Sequence, residues 1–104
     1  MSVNLSRLHA RMFVIEDERH AEFQGEFATF DKAVAELRRR STLPWDQAPN
    51  VAPCMSWKTC GRSYVIIEYD VSSSPWNEIQ RHAMLEVSAS GAVWLHTAPN
   101  EERA

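Results

Sequence analysis

Residues 21–40 read AEFQGEFATFDKAVAELRRR, and a change of period inside this stretch decides the fold. Ala21, Phe23, Gly25 and Phe27 alternate with Glu22, Gln24 and Glu26, the two-residue repeat of a strand with one packed face and one wet face. From Phe30 the apolar positions become Phe30, Ala33, Val34 and Leu37, spaced i, i+3, i+4 and i+7 like the buried stripe of an amphipathic helix. Thr29 stands where an N-cap is needed. Asp31 suits the positive end of the helix dipole, and Arg38, Arg39 and Arg40 suit the negative end. The helix is expected to stop near Ser41, because Pro44 biases Leu43 out of the helical region.

Working outward toward the N-terminus, Met12, Phe13, Val14 and Ile15 form an apolar run that ends at Glu16, Asp17 and Glu18. This predicts a strand that pairs with the alternating one as a hairpin around Glu18 to His20. Toward the C-terminus, Tyr64 to Tyr69 (YVIIEY) is rich in β-branched and aromatic residues and reads as a central strand, with Val65, Ile67 and Tyr69 on one face. Residues Val71 to Trp76 have turn composition, and Asn77 to Arg81 fit either an extended edge or one helical turn. For the last hairpin, a three-residue loop Ala89-Ser90-Gly91 with Gly91 in the left-handed region pairs Val87 with Val93 and Leu85 with Leu95. A two-residue loop at Ser90-Gly91 mixes apolar and polar residues on each face.

The element order is therefore β-β-α-β-β-β. It predicts a single α+β domain over 1–104, with an antiparallel sheet of about five strands packed on one face by a single helix. Phe23 and Ile67 are expected to touch that helix, and residues 1–10 and 98–104 to be flexible ends. One helix cannot cover five strands, so the long connection, a second subunit or water must cover the rest.

Composition narrows the function. With 104 residues, 44% hydrophobic and 24% charged, the chain has the makings of an ordinary apolar core. Its net charge of −3 opposes binding to a phosphate backbone, so nucleic acid is disfavoured as a partner. No stretch has the length of a membrane span, and Met1 to Ala10 lack the apolar core of a secretory signal. A cytoplasmic protein is the expectation, and its cysteines would stay reduced.

The chemistry concentrates between Leu43 and Tyr64, where three prolines, two tryptophans and both cysteines fall in a segment with no regular period. Connections of that length in compact domains are commonly functional, and the bulky aromatics argue against disorder. Cys54 and Cys60 are separated by five intervening residues, a spacing that matches neither a thioredoxin-like motif nor a zinc ribbon. Two reduced packing thiols are expected ahead of a disulfide, with a metal or redox role behind both. His9, His20, His82 and His96 show no ligand spacing, so no metal or other cofactor is expected. The acidic groups at Glu16 to Glu18 and at Glu68 and Asp70 read as ordinary strand ends.

Two functional classes remain. The first is a non-enzymatic domain acting through protein contacts, by self-association or on another protein. Its surface would be Trp45, Trp57, Lys58, Arg62 and Tyr64, with an exposed edge strand as a further route. The second is a small-molecule-binding or thiol-dependent enzyme with a pocket between the 43–64 loop and the sheet. Cys54 or Cys60 would be the reactive thiol, with His82 or Tyr64 nearby.

Overall fold

The computed structural model describes residues 10–53 and 60–95. Strands β1 (Arg11–Asp17) and β2 (Glu22–Phe27) form the first hairpin. Helix α1 (Phe30–Ser41) follows, then β3 (Arg62–Asp70), β4 (Asn77–Ser88) and β5 (Gly91–Trp94). The strands make one antiparallel sheet in the order β2-β1-β3-β4-β5, so β3 is central as its composition predicts. No helix among the described residues is long and apolar enough to cross a membrane.

Helix α1 begins as the sequence indicates. The Thr29 hydroxyl accepts from the Lys32 N–H at 3.1 Å and satisfies one of the donors that the first turn leaves unpaired. Ala33, Val34 and Leu37 are buried against Ile15, Tyr64, Ile66, Met84, Leu85 and Val87 of the sheet. Residues directly opposite in an antiparallel pair share a face. Ile15 opposes Ile66, Asp17 opposes Tyr64, Tyr64 opposes Leu85, and Arg62 opposes Val87. The helix-covered face is thus apolar in the middle and ends in the charged pair Asp17 and Arg62.

The expectation for Phe23 and Ile67 is corrected. Val14 opposes Ile67 and Glu16 opposes Phe23, which places all four on the face away from α1. Ile67 is buried there, and Phe23 is 64% exposed. For Ile67 the unshifted register with β1 turns its neighbour Ile66 to the helix instead, and for Phe23 the cause is a bulge: Ile15 opposes Gly25 while Glu16 opposes Phe23, so Gln24 is an extra residue and the alternation changes phase. Gly25 has φ +138°, a conformation in which a side chain is strained, and so permits the kink. Phe27 packs on the core, and the displaced Gln24 accepts from Arg40 with its side-chain oxygen (2.9 Å) and its carbonyl (3.3 Å).

The last hairpin also differs from expectation. Ser88 opposes Gly91, Val87 opposes Ala92, and Leu85 opposes Trp94, so the loop is the two residues Ala89 and Ser90. Gly91 does take a positive φ of 116°, but inside the pairing. This register turns Trp94 onto the core and leaves Val93 and Leu95 54% and 48% exposed. Burying the larger ring outweighs burying the two aliphatic chains. The ambiguous residues Asn77 to Arg81 are strand and lengthen β4 to twelve residues.

Candidate active site

At the end of the sheet where α1 finishes, the β1–β2 turn, the start of β3 and the connection from α1 meet around a buried carboxylate. Asp17 is fully buried. Its Oδ1 accepts from the backbone N–H of Arg19 at 3.1 Å and of Ser63 at 3.0 Å. Its Oδ2 accepts from Arg62 Nη1 at 2.8 Å and lies 2.5 Å from His20 Nδ1. An aspartate closing a turn onto the backbone two residues ahead is a local arrangement that this residue type favours. The turn is completed by Glu18 N–H donating to the Ser63 carbonyl at 2.8 Å and by Ala21 in the left-handed region at φ 54°.

This carboxylate fixes the imidazole. An ionised carboxylate only accepts hydrogen bonds, so His20 donates through Nδ1–H, and Nε2 is the ring nitrogen turned to Cys60. Nε2 lies 3.5 Å from Cys60 Sγ. Cys60 is 6% exposed and is disulfide-bonded. The only other cysteine of the chain is Cys54, which lies outside the described residues. The expectation of a reduced packing thiol at Cys60 is therefore corrected. A disulfide sulfur, an imidazole and a carboxylate are thus successive neighbours, 3.5 Å apart at Cys60–His20 and 2.5 Å apart at His20–Asp17.

Two features hold Cys60 in place. Gly61 is packed so closely that a Cβ there would collide with the Val87 carbonyl and with Ser88, so the backbone beside Cys60 presses directly on β4. Arg62 is 7% exposed. It donates to Asp17 and to Glu22 Oε1 (2.5 Å) through Nη1, to the Asn50 carbonyl (3.2 Å) through Nε, and to the Val51 carbonyl (2.6 Å) through Nη2. Burial works against its charge, but the hydrogen bonds to Glu22 and Asp17 outweigh it and hold the guanidinium pKa above its ordinary value.

Asn50 extends the network to α1. Fully buried, it donates through Nδ2 to the Arg40 carbonyl at 2.9 Å and accepts from the Tyr64 hydroxyl at 2.9 Å through Oδ1. Burial pushes the Tyr64 hydroxyl pKa up, against the opposing pull of Arg40, whose guanidinium lies 5.2 Å from the Tyr64 ring centre. The chain of contacts runs from the end of α1 through Asn50, Arg62, Asp17 and His20 to Cys60.

The residues chosen from sequence fare differently. Arg62 and Tyr64 are buried and cannot form a docking surface, because their polar atoms are already engaged inside the domain. Trp45 packs against the core and lines a cleft of about 330 Å3 with Pro44, Val87, Ser88 and Ala92. Trp57, Lys58 and Cys54 lie outside the described residues, as do His9 and His96. His82 stacks edge-on against Phe30 at 5.3 Å, a contact at the first residue of α1. Arg40, at the end of α1, is buried against Glu36 and Gln24. From sequence alone Asp17 and His20 are indistinguishable from an ordinary acidic turn and a surface histidine. Their spacing of three residues across a turn is the one local signal that joins them. Among the described residues no group of three His, Cys, Asp or Glu side chains could hold a metal ion. Comparison with family models, with curated proteins and with solved structures finds no match.

Proposed function

We propose that the chain is a small thiol–disulfide exchange protein, with its cysteine pair cycling between disulfide and dithiol and another polypeptide's thiols as its partner. The observation that supports it is the alignment of Cys60 Sγ, His20 Nε2 and His20 Nδ1 with buried Asp17, at 3.5 and 2.5 Å. A thiolate, not a thiol, is the reactive form, and an adjacent imidazole that can take up the proton favours it. When the disulfide opens, the Cys60 sulfur departs as a thiolate beside His20. When it closes, His20 takes the Cys60 proton and frees the sulfur to attack. Asp17 keeps the ring oriented and stabilises the imidazolium, as the carboxylate of a triad does. In a reducing cytoplasm the pair would rest as the dithiol.

This reading joins the two functional classes, since the enzyme-like site acts on a protein. Exposed apolar residues Val93 and Leu95 replace Arg62 and Tyr64 as surface for contact with that protein. The test is the rate at which the reduced protein reacts with oxidised glutathione at neutral pH. His20→Gln is expected to slow the reaction about tenfold or more while leaving the fold intact. Equal rates for the variant and the parent would remove the support for His20 and with it the proposal.

A further inference from the structure

The two edges of the sheet are finished differently. On one side, β2 is kinked by the bulge at Gln24 and carries Glu22 and Glu26, features that discourage further pairing. On the other side, β5 covers only the end of β4. Gly91–Trp94 pair with residues 85–88, and the Leu95 N–H donates to the Met84 carbonyl at 2.8 Å. Among the described residues no strand pairs with residues 77–83 on the side away from β3. Asn77, Glu78, Ile79, Gln80 and Arg81 are all exposed, and Trp76 beside them is 41% exposed. Such an edge offers a row of backbone donors and acceptors to another strand.

The sequence of this edge is complementary to itself. Glu78 opposes Tyr69, Arg81 opposes Ile67 and Ala83 opposes Val65, so all three lie on the face away from α1. Trp76 joins them there through its ring contact with Tyr69 at 5.7 Å. Asn77 opposes Asp70 and His82 opposes Ile66, on the face that α1 covers. Ile79 is the extra residue of a bulge between these halves. We infer that a second copy of this chain pairs antiparallel along residues 76–83, with the two-fold axis between Ile79 and Gln80, and joins two five-stranded sheets into one. In a two-fold interface each contact occurs twice. Trp76 then lies opposite Ala83 of the second copy, Glu78 opposite Arg81 and Asn77 opposite His82, and the members of each pair share a face. Glu78 and Arg81 already bind one another within a single copy at 3.0 and 3.1 Å. Two such ion pairs brought together alternate in charge around the axis, which fixes the register and favours this chain as its own partner.

This pairing is independent of the exchange reading above. Its test is sedimentation equilibrium of the full chain over a range of concentrations, with a thiol reductant present so that no intermolecular disulfide contributes. The parent is expected to be a dimer that dissociates on dilution. Glu78→Arg and Arg81→Glu each set like charges opposite one another and are expected to weaken the dimer about tenfold or more. An equimolar mixture of the two variants is expected to restore it, because opposite charges then face each other in both contacts. Ile79→Lys, which puts a charge at the axis from an exposed position, is expected to prevent pairing. A parent that stays monomeric at every concentration, leaving the edge to an extended peptide of another chain, would overturn the proposal. A dimer that all three variants leave unchanged, or two weakened charge variants that do not recover when mixed, would overturn it as well.

Discussion

The middle and the end of one sheet face are built on opposite physical terms. In the middle, Ile15, Ile66 and Leu85 meet Leu37 and Ala33 of α1 through contacts that are short-ranged and indifferent to direction. At the end, Asp17, Arg62, Asn50 and Tyr64 are equally buried but depend on hydrogen bonds with fixed partners and angles. An apolar core tolerates shape-conserving exchange. A buried polar group that loses its partner meets the full penalty of desolvation. The fold is held by the first region, and the second spends stability on placing Cys60 and His20.

The largest expected effect comes from breaking the polar end. Arg62→Met removes the cation from buried Asp17 and the donors from the Asn50 and Val51 carbonyls, and is expected to cost about 3–5 kcal/mol. Urea unfolding would measure it, and a loss below about 1 kcal/mol would mean the end of the sheet is wetter than described. Leu37→Ala should cost about 2–4 kcal/mol by leaving a cavity under α1. In the folded fraction it should leave the reactivity of the cysteine pair unchanged. A Leu37→Ala protein that kept its fold but lost its thiol reactivity would erase the distinction between the two regions.

A smaller effect separates the outer surface of α1 from both. Glu36 accepts from Arg39 Nη2 at 2.7 Å and from Arg40 Nε at 2.6 Å. Its pKa lies below the ordinary value, chiefly through the Arg39 hydrogen bond and with burial opposing. A carboxylate with a depressed folded-state pKa contributes stability that is complete above its unfolded value, about 4.3, and is lost as pH falls through the folded one. Glu36→Gln should therefore lower stability at neutral pH by about 1 kcal/mol and flatten the acid limb of the stability profile below about pH 4. An unchanged acid limb would assign that loss to other carboxylates.

The same contrast explains how far the sequence could be read. Period and capping locate α1 and β3 because those signals are local: Ala33, Val34 and Leu37 are buried and Thr29 caps as its position indicates. The phase of β2 was not legible. A bulge at Gln24 moves Phe23 to the other face without changing the composition of the strand. The register of β4 and β5 failed for a related reason, since either loop length satisfies the hairpin and only the packing of Trp94 chooses between them. The site was least visible. His20 meets Cys60 forty residues away, and Arg62 meets Asp17 across forty-five, and no spacing rule connects residues brought together only by the order of strands. Within the connection between α1 and β3, Asn50 is an interior anchor that no spacing rule singles out.

The central claim is that His20, oriented by Asp17, stabilises the reduced form of Cys60 and is not simply part of the packing. Its most direct test is the equilibrium between disulfide and dithiol in a glutathione buffer, for the parent chain and for His20→Gln. A residue that favours the thiolate makes the disulfide easier to reduce. The account predicts that His20→Gln shifts the midpoint toward greater resistance to reduction, by about tenfold in the equilibrium constant. Coincident midpoints for the two proteins would contradict it.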